Sequence, residues 1–360
     1  MIEEPYILMS NLSISIDKPF FKYLSLNIVR RILIFIMNLK EAIFIFTKDR
    51  PDVLTKTLSY INNLAIRKYI IDDSFQEINQ AANKKLTSIH SNIFYCGQNE
   101  YDEFIRLYNI DTDKFKSILR KVGTSEWNLG YARNFALLFS KAIDVYKALF
   151  VDDDIAILDI SLIFNTFSLL ENYNFVGANI DGMTDASIIG FISQDLGIIN
   201  DNERTLSGGF LAFKPQKIRM PFINVYNEDW IWLLLHSNED KHLQKNSVFQ
   251  NMSNPYFDFK DKIIFQEIGE IIFTGISMLN EKKEFRFLIS DVFWEKVLNK
   301  RKIYLTKLYY NAAIKKKRDL MEMIKWVQDY YKEIDNHIFS ELFDNYNNDK
   351  LIFREIYNSL

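Results

Sequence analysis

The stretch Ala148-Leu149-Phe150-Val151-Asp152-Asp153-Asp154-Ile155 is the most informative part of this chain for its fold. Its apolar run predicts a buried strand, and the three aspartates place carboxylates at the carboxyl end of that strand. Like charges beside a buried strand are costly unless a cation or a hydrogen-bond network compensates them. Mg²⁺ and Mn²⁺ prefer oxygen ligands, usually one or two carboxylates together with substrate phosphates. The stretch therefore indicates a divalent-metal site, with a solvated loop start as the plainer alternative.

The segments on both sides of this stretch alternate between predicted strands and predicted helices. Such alternation is typical of an α/β sheet built mainly from parallel strands. Strands are predicted over 42–47, 68–71, 93–95, 148–151, 175–178 and 209–213, and helices over 52–64 and 134–146. Ligands of open α/β sheets bind outside the carboxyl ends of the strands. We therefore expect the polar residues that follow the strands to share one crevice.

The composition is that of a folded globular protein without a general affinity for polyanions. Of the 360 residues, 48% are hydrophobic and 15% are aromatic, which is ample for a large core. The net charge of −3 makes nucleic acid an unexpected partner. The single cysteine, Cys96, excludes a disulfide within the chain and fits a reducing compartment.

The amino-terminal segment predicts neither a signal peptide nor a membrane span. Glu3 and Glu4 stand where a signal peptide carries basic residues. The apolar segment 20–46 is interrupted by charges, and its longest unbroken apolar run, 32–37, is too short to cross a bilayer. We therefore expect a cytoplasmic protein whose first helix packs on the main domain. An interfacial helix, with peripheral contact to the inner face of the membrane, is the alternative.

Six short motifs follow one another along the chain. They read FIFTKDRPDVLTKTL (44–58), KYIIDDS (68–74), NLGYARNFAL (128–137), ALFVDDDI (148–155), SGGFLAF (207–213) and NEDWIWLLL (227–235). In this order and at these separations, over about residues 42–235, they resemble the GT-A glycosyltransferase fold. The resemblance is closest to the large inverting family that includes many polysaccharide and glycoconjugate synthases.

The resemblance implies an α/β fold with a Rossmann-like, mixed but mainly parallel sheet flanked by helices. The implied domain covers 41–290, with a nucleotide-sugar half at 41–155 and an acceptor half at 156–290, between helical extensions at 1–40 and 291–360. The implied reaction moves a sugar from a nucleotide-diphosphate sugar, with a UDP-sugar favoured, to a hydroxyl of a glycan, a lipid-linked acceptor or another glycoconjugate, with inversion. The implied cofactor is Mn²⁺ or Mg²⁺.

The resemblance also assigns residues to the donor. These are Thr47, Arg50, Asp73, Gly130, Arg133, Asn134, Asp152 and Asp153. The segment around Gly130 precedes the predicted helix, where free backbone N–H groups and a cation favour phosphate. Two plainer interpretations stay open: Asp73, with Asp72, caps the next helix, and Arg133 pairs with a surface carboxylate.

The metal and the catalytic base are assigned in the same way. Asp152 and Asp154 would be the outer members of an Asp-x-Asp motif that holds the metal, although three consecutive aspartates leave the register open by one. Asp229 would be the general base, supported by Glu228, because the attacking acceptor must lose a proton. The implied acceptor-side residues are Gly208, Gly209 and Trp230. An acidic pair at a helix start can also serve only the helix dipole, and Trp230 can belong to the core.

Several alternatives remain at this stage. A retaining enzyme of the same fold would need a late histidine as metal ligand, for which His236 and His242 are the candidates. A nucleotidyltransferase would need a glycine-rich loop after the first strand, which the segment 46–52 lacks. A catalytically silent binding module is the third alternative. The basic run 315–318 could hold an anionic acceptor, a lipid surface or another subunit, or form a solvated helix face. The sequence does not predict the oligomeric state.

Overall fold

The computed structural model describes residues 40–88, 91–118, 129–182, 187–198, 206–250, 259–280 and 284–360. Residues Lys40–Leu360 form one compact unit. Residues 1–39 of the predicted amino-terminal extension, with its predicted helix and membrane contact, lie outside the described residues. Within the described residues, no helix has both the length and the apolar composition that crossing a bilayer requires.

An eight-stranded mixed sheet forms the centre of this unit. Its strands are β1 (Glu41–Thr47), β2 (Arg67–Asp72), β3 (Ile93–Cys96), β4 (Lys147–Asp152), β5 (Ile155–Ala156), β6 (Phe175–Asp181), β7 (Phe210–Phe213) and β8 (Lys241–Gln250). Their order across the sheet is β3-β2-β1-β4-β7-β6-β8-β5. Most neighbouring pairs are parallel, and the antiparallel pairs are those that involve β7 and β5. The prediction of a mixed, mainly parallel sheet is confirmed.

The directions of the strands bring several strand ends to one edge of the sheet. Thr47 pairs with Asp72, and Phe46 pairs with Asp152, so β1, β2 and β4 end side by side. The antiparallel strand β7 begins at this same edge, where Phe210 pairs with Val151. The turn before β7 therefore lies next to the aspartates after β4.

Eleven α-helices lie within the described residues. They are α1 (Pro51–Ile61), α2 (Glu77–Lys85), α3 (Gln98–Leu107), α4 (Leu129–Ala142), α5 (Ser161–Leu169), α6 (Ile188–Asp195), α7 (Glu228–Leu235), α8 (Phe259–Asn280), α9 (Asp291–Ile314), α10 (Arg318–Tyr330) and α11 (His337–Ser359). Pro51 occupies the first turn of α1, as predicted, because its missing N–H has no helical partner there.

Both faces of the sheet are covered by apolar cores. Alternate residues of β1 divide between them, because successive side chains of a strand point to opposite faces. Phe44 and Phe46 join a core with α4 and α7, and Ile43 and Ile45 join a second core with α1 and α5. Strands buried on both faces are continuous apolar runs, which is why the sequence pattern predicts them.

The carboxyl-terminal helices share the first of these cores. Trp294 of α9 stacks on Phe339 and Phe343 of α11, with ring centroids 5.2 and 5.5 Å away. Two tyrosines of α11 also hold the loops near β7: the hydroxyl of Tyr346 donates to the Pro221 carbonyl at 2.9 Å, and that of Tyr357 donates to the Pro215 carbonyl at 2.6 Å. The predicted boundary at residue 290 between the main domain and the carboxyl-terminal extension stays a prediction. The same holds for the predicted division of the main domain into halves at 41–155 and 156–290.

Three parts of the structure differ from the sequence predictions. Helix α4 begins at Leu129, five residues before the predicted start at 134. Strand β8 is absent from the predictions, because its sequence KHLQKNSVFQ is mostly polar. The segment 266–270 (QEIGE) is predicted from the sequence to form an acceptor loop or a turn between helices, but it lies inside α8.

Candidate active site

The aspartates after β4 meet the start of α7 and the turn before β7 at the shared edge of the sheet. We call this place the carboxylate crevice and define it by Asp152, Asp154, Arg133, Glu228 and Asp229. The backbone N–H of Asp152 donates to the carbonyl of Gly209 at 3.1 Å, so the turn before β7 lies directly against it. The structure thus brings together residues that are far apart in the sequence and that were assigned to metal, donor and base.

Arg133 lies at the centre of the carboxylate crevice, although its side chain is only 1% exposed. Its Nη1 donates to Oε1 of Glu228 at 2.6 Å and its Nη2 donates to Oδ1 of Asp152 at 3.1 Å. The guanidinium carbon lies 5.5 Å from the Phe46 ring centre and 5.8 Å from that of Phe222. Burial opposes the charge, but Glu228 and Asp152 keep the pKa of Arg133 above its ordinary value. Arg133 therefore links α4, β4 and α7 as a cation.

The turn at Ser207-Gly208-Gly209 fits against Arg133 because Gly208 has no side chain. A Cβ at Gly208 would lie 2.6 Å from the guanidinium carbon of Arg133. A Cβ at Gly209 would lie 3.4 Å from Oδ2 of Asp152, which is ordinary contact. The predicted acceptor-side glycines therefore lie at the carboxylate crevice, where Gly208 allows close packing.

Asp229 and Glu228 have different environments although they are neighbours. Glu228 is buried, which raises its pKa, and the ion pair with Arg133 opposes that rise. Asp229 is partly exposed, and its Oδ2 accepts from the Gly208 N–H at 2.6 Å and from the Ser207 hydroxyl at 3.2 Å. Asp229 is thus accessible and oriented by the turn, whereas Glu228 is buried and holds Arg133 in place.

The middle aspartate of the triplet faces the protein interior. Asp153 is 0% exposed; its carboxylate accepts from the Thr47 hydroxyl at 2.7 Å and pairs with Arg50. The hydroxyl of Thr57 donates to its carbonyl. Burial raises the pKa of Asp153 to about 7, with Arg50 and Thr47 opposing. The side chains of Asp153 and Thr47 are thus buried and bound to each other, and their donor contacts stay predictions.

The two outer aspartates keep exposed carboxylate surface, with side chains 23% and 14% exposed for Asp152 and Asp154. Asp154 accepts from Nε2 of Gln250 at 3.2 Å and from Nη1 of Arg50 at 3.5 Å. Arg50 is itself 41% exposed and lies beside Asp154, and its donor contact stays a prediction.

A divalent cation fits the outer pair on chemical grounds. Burial raises the pKa of Asp152, Arg133 opposes this, and the negative charges of Asp154 and Asp229 raise it further. Carboxylates that repel one another are stabilised by a cation between or beside them. Among the described residues, no three His, Cys, Asp or Glu side chains are grouped to hold a metal. Two carboxylates completed by substrate phosphates and water are nevertheless a usual Mg²⁺ site.

Two residues of the NLGYARNFAL motif, Asn134 and Gly130, make packing contacts inside the protein. Asn134 is fully buried, and its amide donates to the carbonyls of Ile118 and Phe222 at 2.9 and 2.8 Å while accepting from the Phe222 N–H at 2.7 Å. The side chain of Asn134 therefore connects α4 to the backbone at Ile118 and Phe222, and its donor contact stays a prediction. Gly130 lies within α4, where a Cβ would be 2.7 Å from the Ile223 carbonyl oxygen.

The two aspartates after β2 also differ from each other. Asp72 is buried and accepts from the Ser74 N–H at 2.8 Å, the Asn83 amide at 3.0 Å and the Tyr95 hydroxyl at 2.9 Å. It therefore shapes the turn after β2. Helix α2 has Gln76 at its N-cap and no side-chain cap, so the capping interpretation does not hold for Asp72. Asp73 lies 3.9 Å from Nζ of Lys48 at the end of β1 and is less buried. The donor contact of Asp73 stays a prediction.

The aromatic and imidazole candidates near α7 lie mostly in the core. Trp232 is fully buried and stacks on Phe222 at 4.2 Å, whereas Trp230 is partly exposed and packs on Phe273 of α8 at 5.7 Å. His236 is 3% exposed, and burial lowers its pKa to about 4. Its position inside the core makes it unsuitable as a metal ligand.

His242 is also far from the aspartates. It pairs with Val176 at the start of β6, whereas Gln250, which contacts Asp154, lies eight residues further along β8. At about 3.3 Å per residue, eight strand residues span roughly 26 Å. The alternative that depended on a histidine ligand is therefore not supported by either named histidine.

Gln250 is a residue at the carboxylate crevice that the sequence did not identify. It ends β8 and reaches Asp154 because Gln250 pairs with Ile155 of β5. No sequence signal marks it, since it belongs to the polar strand that periodicity missed. Lys48 is another residue that the sequence did not identify, because its ion pair with Asp73 depends on the parallel pairing of β1 and β2.

Comparison with solved structures finds sugar-transferring enzymes. Glucosyl-3-phosphoglycerate synthase from Mycobacterium tuberculosis, solved with Mn²⁺, UDP-glucose and glycerol 3-phosphate, has a TM-score of 0.44 and 12% identity over 66% of this chain and 79% of that chain. Galactosyltransferase LgtC, solved with donor and acceptor sugar analogues, has a TM-score of 0.28 and 17% identity over 49% and 58%. Mouse xyloside xylosyltransferase 1 has a TM-score of 0.28 and 10% identity over 49% and 68%.

These enzymes belong to the class that the sequence motifs resemble. No protein-family pattern and no curated protein matches this chain. Because the TM-scores lie between 0.28 and 0.44, the likenesses carry no argument about function. The functional argument rests on the carboxylate crevice.

Proposed function

We propose that this protein is a glycosyltransferase that moves a sugar from a nucleotide-diphosphate sugar to an acceptor hydroxyl. The observation that carries the proposal is the meeting of Asp152, at the carboxyl end of β4, with Arg133, Asp154 and Asp229. Open α/β sheets bind ligands outside such strand ends. A glycan or glycoconjugate acceptor, a UDP-sugar donor and a cytoplasmic location stay predictions.

Mn²⁺ or Mg²⁺ is the cofactor that these carboxylate ligands suit. Asp152 and Asp154 would hold it together with the donor diphosphate, because both side chains are partly exposed. When bound, such an ion acts as a Lewis acid that stabilises the charge of the departing diphosphate.

The chain's own residues supply the proton transfer. The acceptor oxygen attacks the anomeric carbon, its proton passes to the Asp229 carboxylate, and the bond from that carbon to the diphosphate breaks, with the electron pair leaving on the diphosphate. The Gly208 N–H and the Ser207 hydroxyl orient Asp229 for this step. A base on the acceptor side supports one in-line displacement, so the proposed outcome is inversion at the anomeric carbon.

The test begins with donor binding. UDP-, GDP-, CMP- and dTDP-sugars are screened by thermal shift with Mn²⁺ and with EDTA, and we expect one class to stabilise the protein more with Mn²⁺. Asp229→Asn should keep that shift while transfer falls by about 10²–10⁴-fold, the usual contribution of a general base. Asp159→Asn is the matched control, because Asp159 is exposed and accepts from the Ser161 N–H through a side-chain oxygen that Asn also has.

Two results would contradict the proposal. The absence of stabilisation by every nucleotide sugar, with and without Mn²⁺, would remove the donor assignment. A product whose anomeric proton shows retained configuration by NMR coupling, made at a normal rate by Asp229→Asn, would remove the base.

A further inference from the structure

A chain of polar contacts runs from the carboxyl-terminal helices to Asn227, two residues before the proposed base. Its first member is Asn227, which precedes Glu228 and has φ 62°, in the left-handed region. Nδ2 of Asn227 donates to Oε1 of Glu270 on α8 at 3.1 Å. The Asn227 carbonyl accepts from the Ile231 N–H at 2.9 Å and so starts α7. Asn tolerates this conformation because its side chain forms local bonds.

Glu270 belongs to a buried ion-pair cluster. Arg301 of α9 donates Nε and Nη2 to the two carboxylate oxygens of Glu267, at 2.9 and 2.7 Å, and its Nη1 lies 3.7 Å from Oε2 of Glu270. The Tyr331 hydroxyl donates to Oε1 of Glu267 at 2.5 Å. Glu267 is 0% exposed and Arg301 is 8% exposed. A two-point contact in the interior fixes the geometry of these groups.

The backbone of α8 also touches the segment before Asn227. A Cβ at Gly269 would lie 2.7 Å from the carbonyl carbon of Tyr226. The helix therefore lies directly on the Tyr226 backbone, while Glu270, one residue further, holds the side chain of Asn227. Through these two contacts, α8 holds the backbone at Tyr226 and Asn227, directly before the start of α7.

We propose that Glu270 and Asn227, supported by Arg301, are positioning residues for Asp229; this inference rests on the proposed function. Asp229 is two residues from Asn227, and its Oδ2 must reach the Gly208 N–H at 2.6 Å. A small rotation at Asn227 would move Asp229 away from that N–H. Misplacement of a reacting group by about 1 Å can cost on the order of 10²-fold in rate.

The sharpest test replaces Glu270, because removal of Arg301 or Glu267 would leave an unpaired buried charge and endanger folding. Glu270→Met removes the acceptor of the Asn227 amide, whereas Glu270→Gln keeps an oxygen acceptor. We expect Glu270→Met to lower kcat about 10- to 100-fold with donor KM unchanged, and Glu270→Gln to restore most of the rate. Ile324→Val, a buried change on α10, is the control for a general loss of Tm.

Hydrogen exchange provides a readout that needs no catalysis. In Glu270→Met, the amides of Gly208 and Ile231 should exchange faster, because they donate to Asp229 and Asn227. Glu270→Gln and Ile324→Val should keep their protection. Unchanged protection in Glu270→Met, or an equal loss of kcat in Ile324→Val at the same Tm, would overturn the inference. If exchange responds as expected while no donor is turned over by any variant, the proposed function fails and the positioning role stands.

Discussion

At the scale of single residues, the carboxylate crevice depends on a contact where no side-chain atom can be added. Gly208 lies against the guanidinium of Arg133, which is buried between two carboxylates and two aromatic rings. Arg133 cannot move aside without breaking the ion pairs to Glu228 and Asp152. The space at Gly208 is therefore fixed by charge as well as by packing.

Gly208→Ala should consequently disturb the crevice more than Gly209→Ala. Overpacking in a fixed environment costs about 1–3 kcal/mol, and we expect this loss of unfolding free energy in urea for Gly208→Ala, together with loss of transfer. At Gly209, a Cβ would meet the end of the Ile180 side chain at 3.1 Å, which can shift. Equal losses in the two variants would show that Arg133 does not fix this turn.

The orientation of the aspartate triplet shows what single residues in the sequence could predict. Strand β4 ends at Asp152, and successive strand side chains point to opposite faces. Asp153 and Asp154 lie in the turn after β4, so only the position of the triplet at the carboxyl end of this strand was predictable. The partners of Asp153 were not, because Thr47 and Asp153 lie 106 residues apart and meet only through the pairing of β1 with β4.

At the scale of secondary structure, one helix residue organises a distant loop. Asp349 of α11 is 0% exposed and accepts from the backbone N–H groups of Lys116 at 3.0 Å, Ser117 at 2.7 Å and Ile118 at 3.1 Å. Ile118 in turn offers its carbonyl to Asn134 of α4 at 2.9 Å. The last helix thus supports the helix that carries Arg133.

Asp349→Ala should therefore destabilise the protein strongly. Each lost hydrogen bond to a charged group is worth about 1.5–3 kcal/mol, so we expect a loss of about 3 kcal/mol or more in urea unfolding. The amides of Ser117 and Ile118 should exchange faster. Asp344→Ala, at an exposed position of the same helix, should change stability by less than about 0.5 kcal/mol. Similar stabilities of the two variants would contradict a role for the Asp349 contacts.

Secondary structure was predictable where burial on both faces made the strands apolar, as in β1 and β4. Strand β8 was not, because only Gln244 and Val248 of its ten residues are buried. The early start of α4 was also not predictable, because Gly130 is a poor helix former. Its place in the helix depends on close packing against Ile223, which only the folded chain provides.

At the scale of the whole molecule, one buried histidine links stability to pH. Burial lowers the pKa of His236 to about 4, against about 6.5 in an unfolded chain. The unfolded state therefore binds more protons between these values, so stability falls as the pH decreases from about 6.5 towards 4. His236 lies between the rings of Phe175 and Trp232, where an aromatic replacement can be accommodated.

Between pH 7.5 and pH 5, the free energy of unfolding of the wild-type protein should fall by about 2 kcal/mol because of His236. This value follows from about 1.36 kcal/mol for each pH unit below about 6.5. His236→Phe removes this titration, so urea unfolding at the two pH values should show a smaller decrease by that amount. His242→Phe keeps His236 and should retain the wild-type decrease. An identical pH dependence in wild type and His236→Phe would show that His236 does not carry the effect.

The contact between Asp349 and the segment at Lys116 also has a consequence for biosynthesis. The two residues are 233 positions apart, and a ribosome adds about 5–20 residues per second. Lys116 therefore waits roughly 10 to 50 s before its partner is even synthesised. During that interval α4 and Arg133 lack the support of α11, so nascent chains and products of premature termination would expose an unfinished crevice to chaperones and proteases.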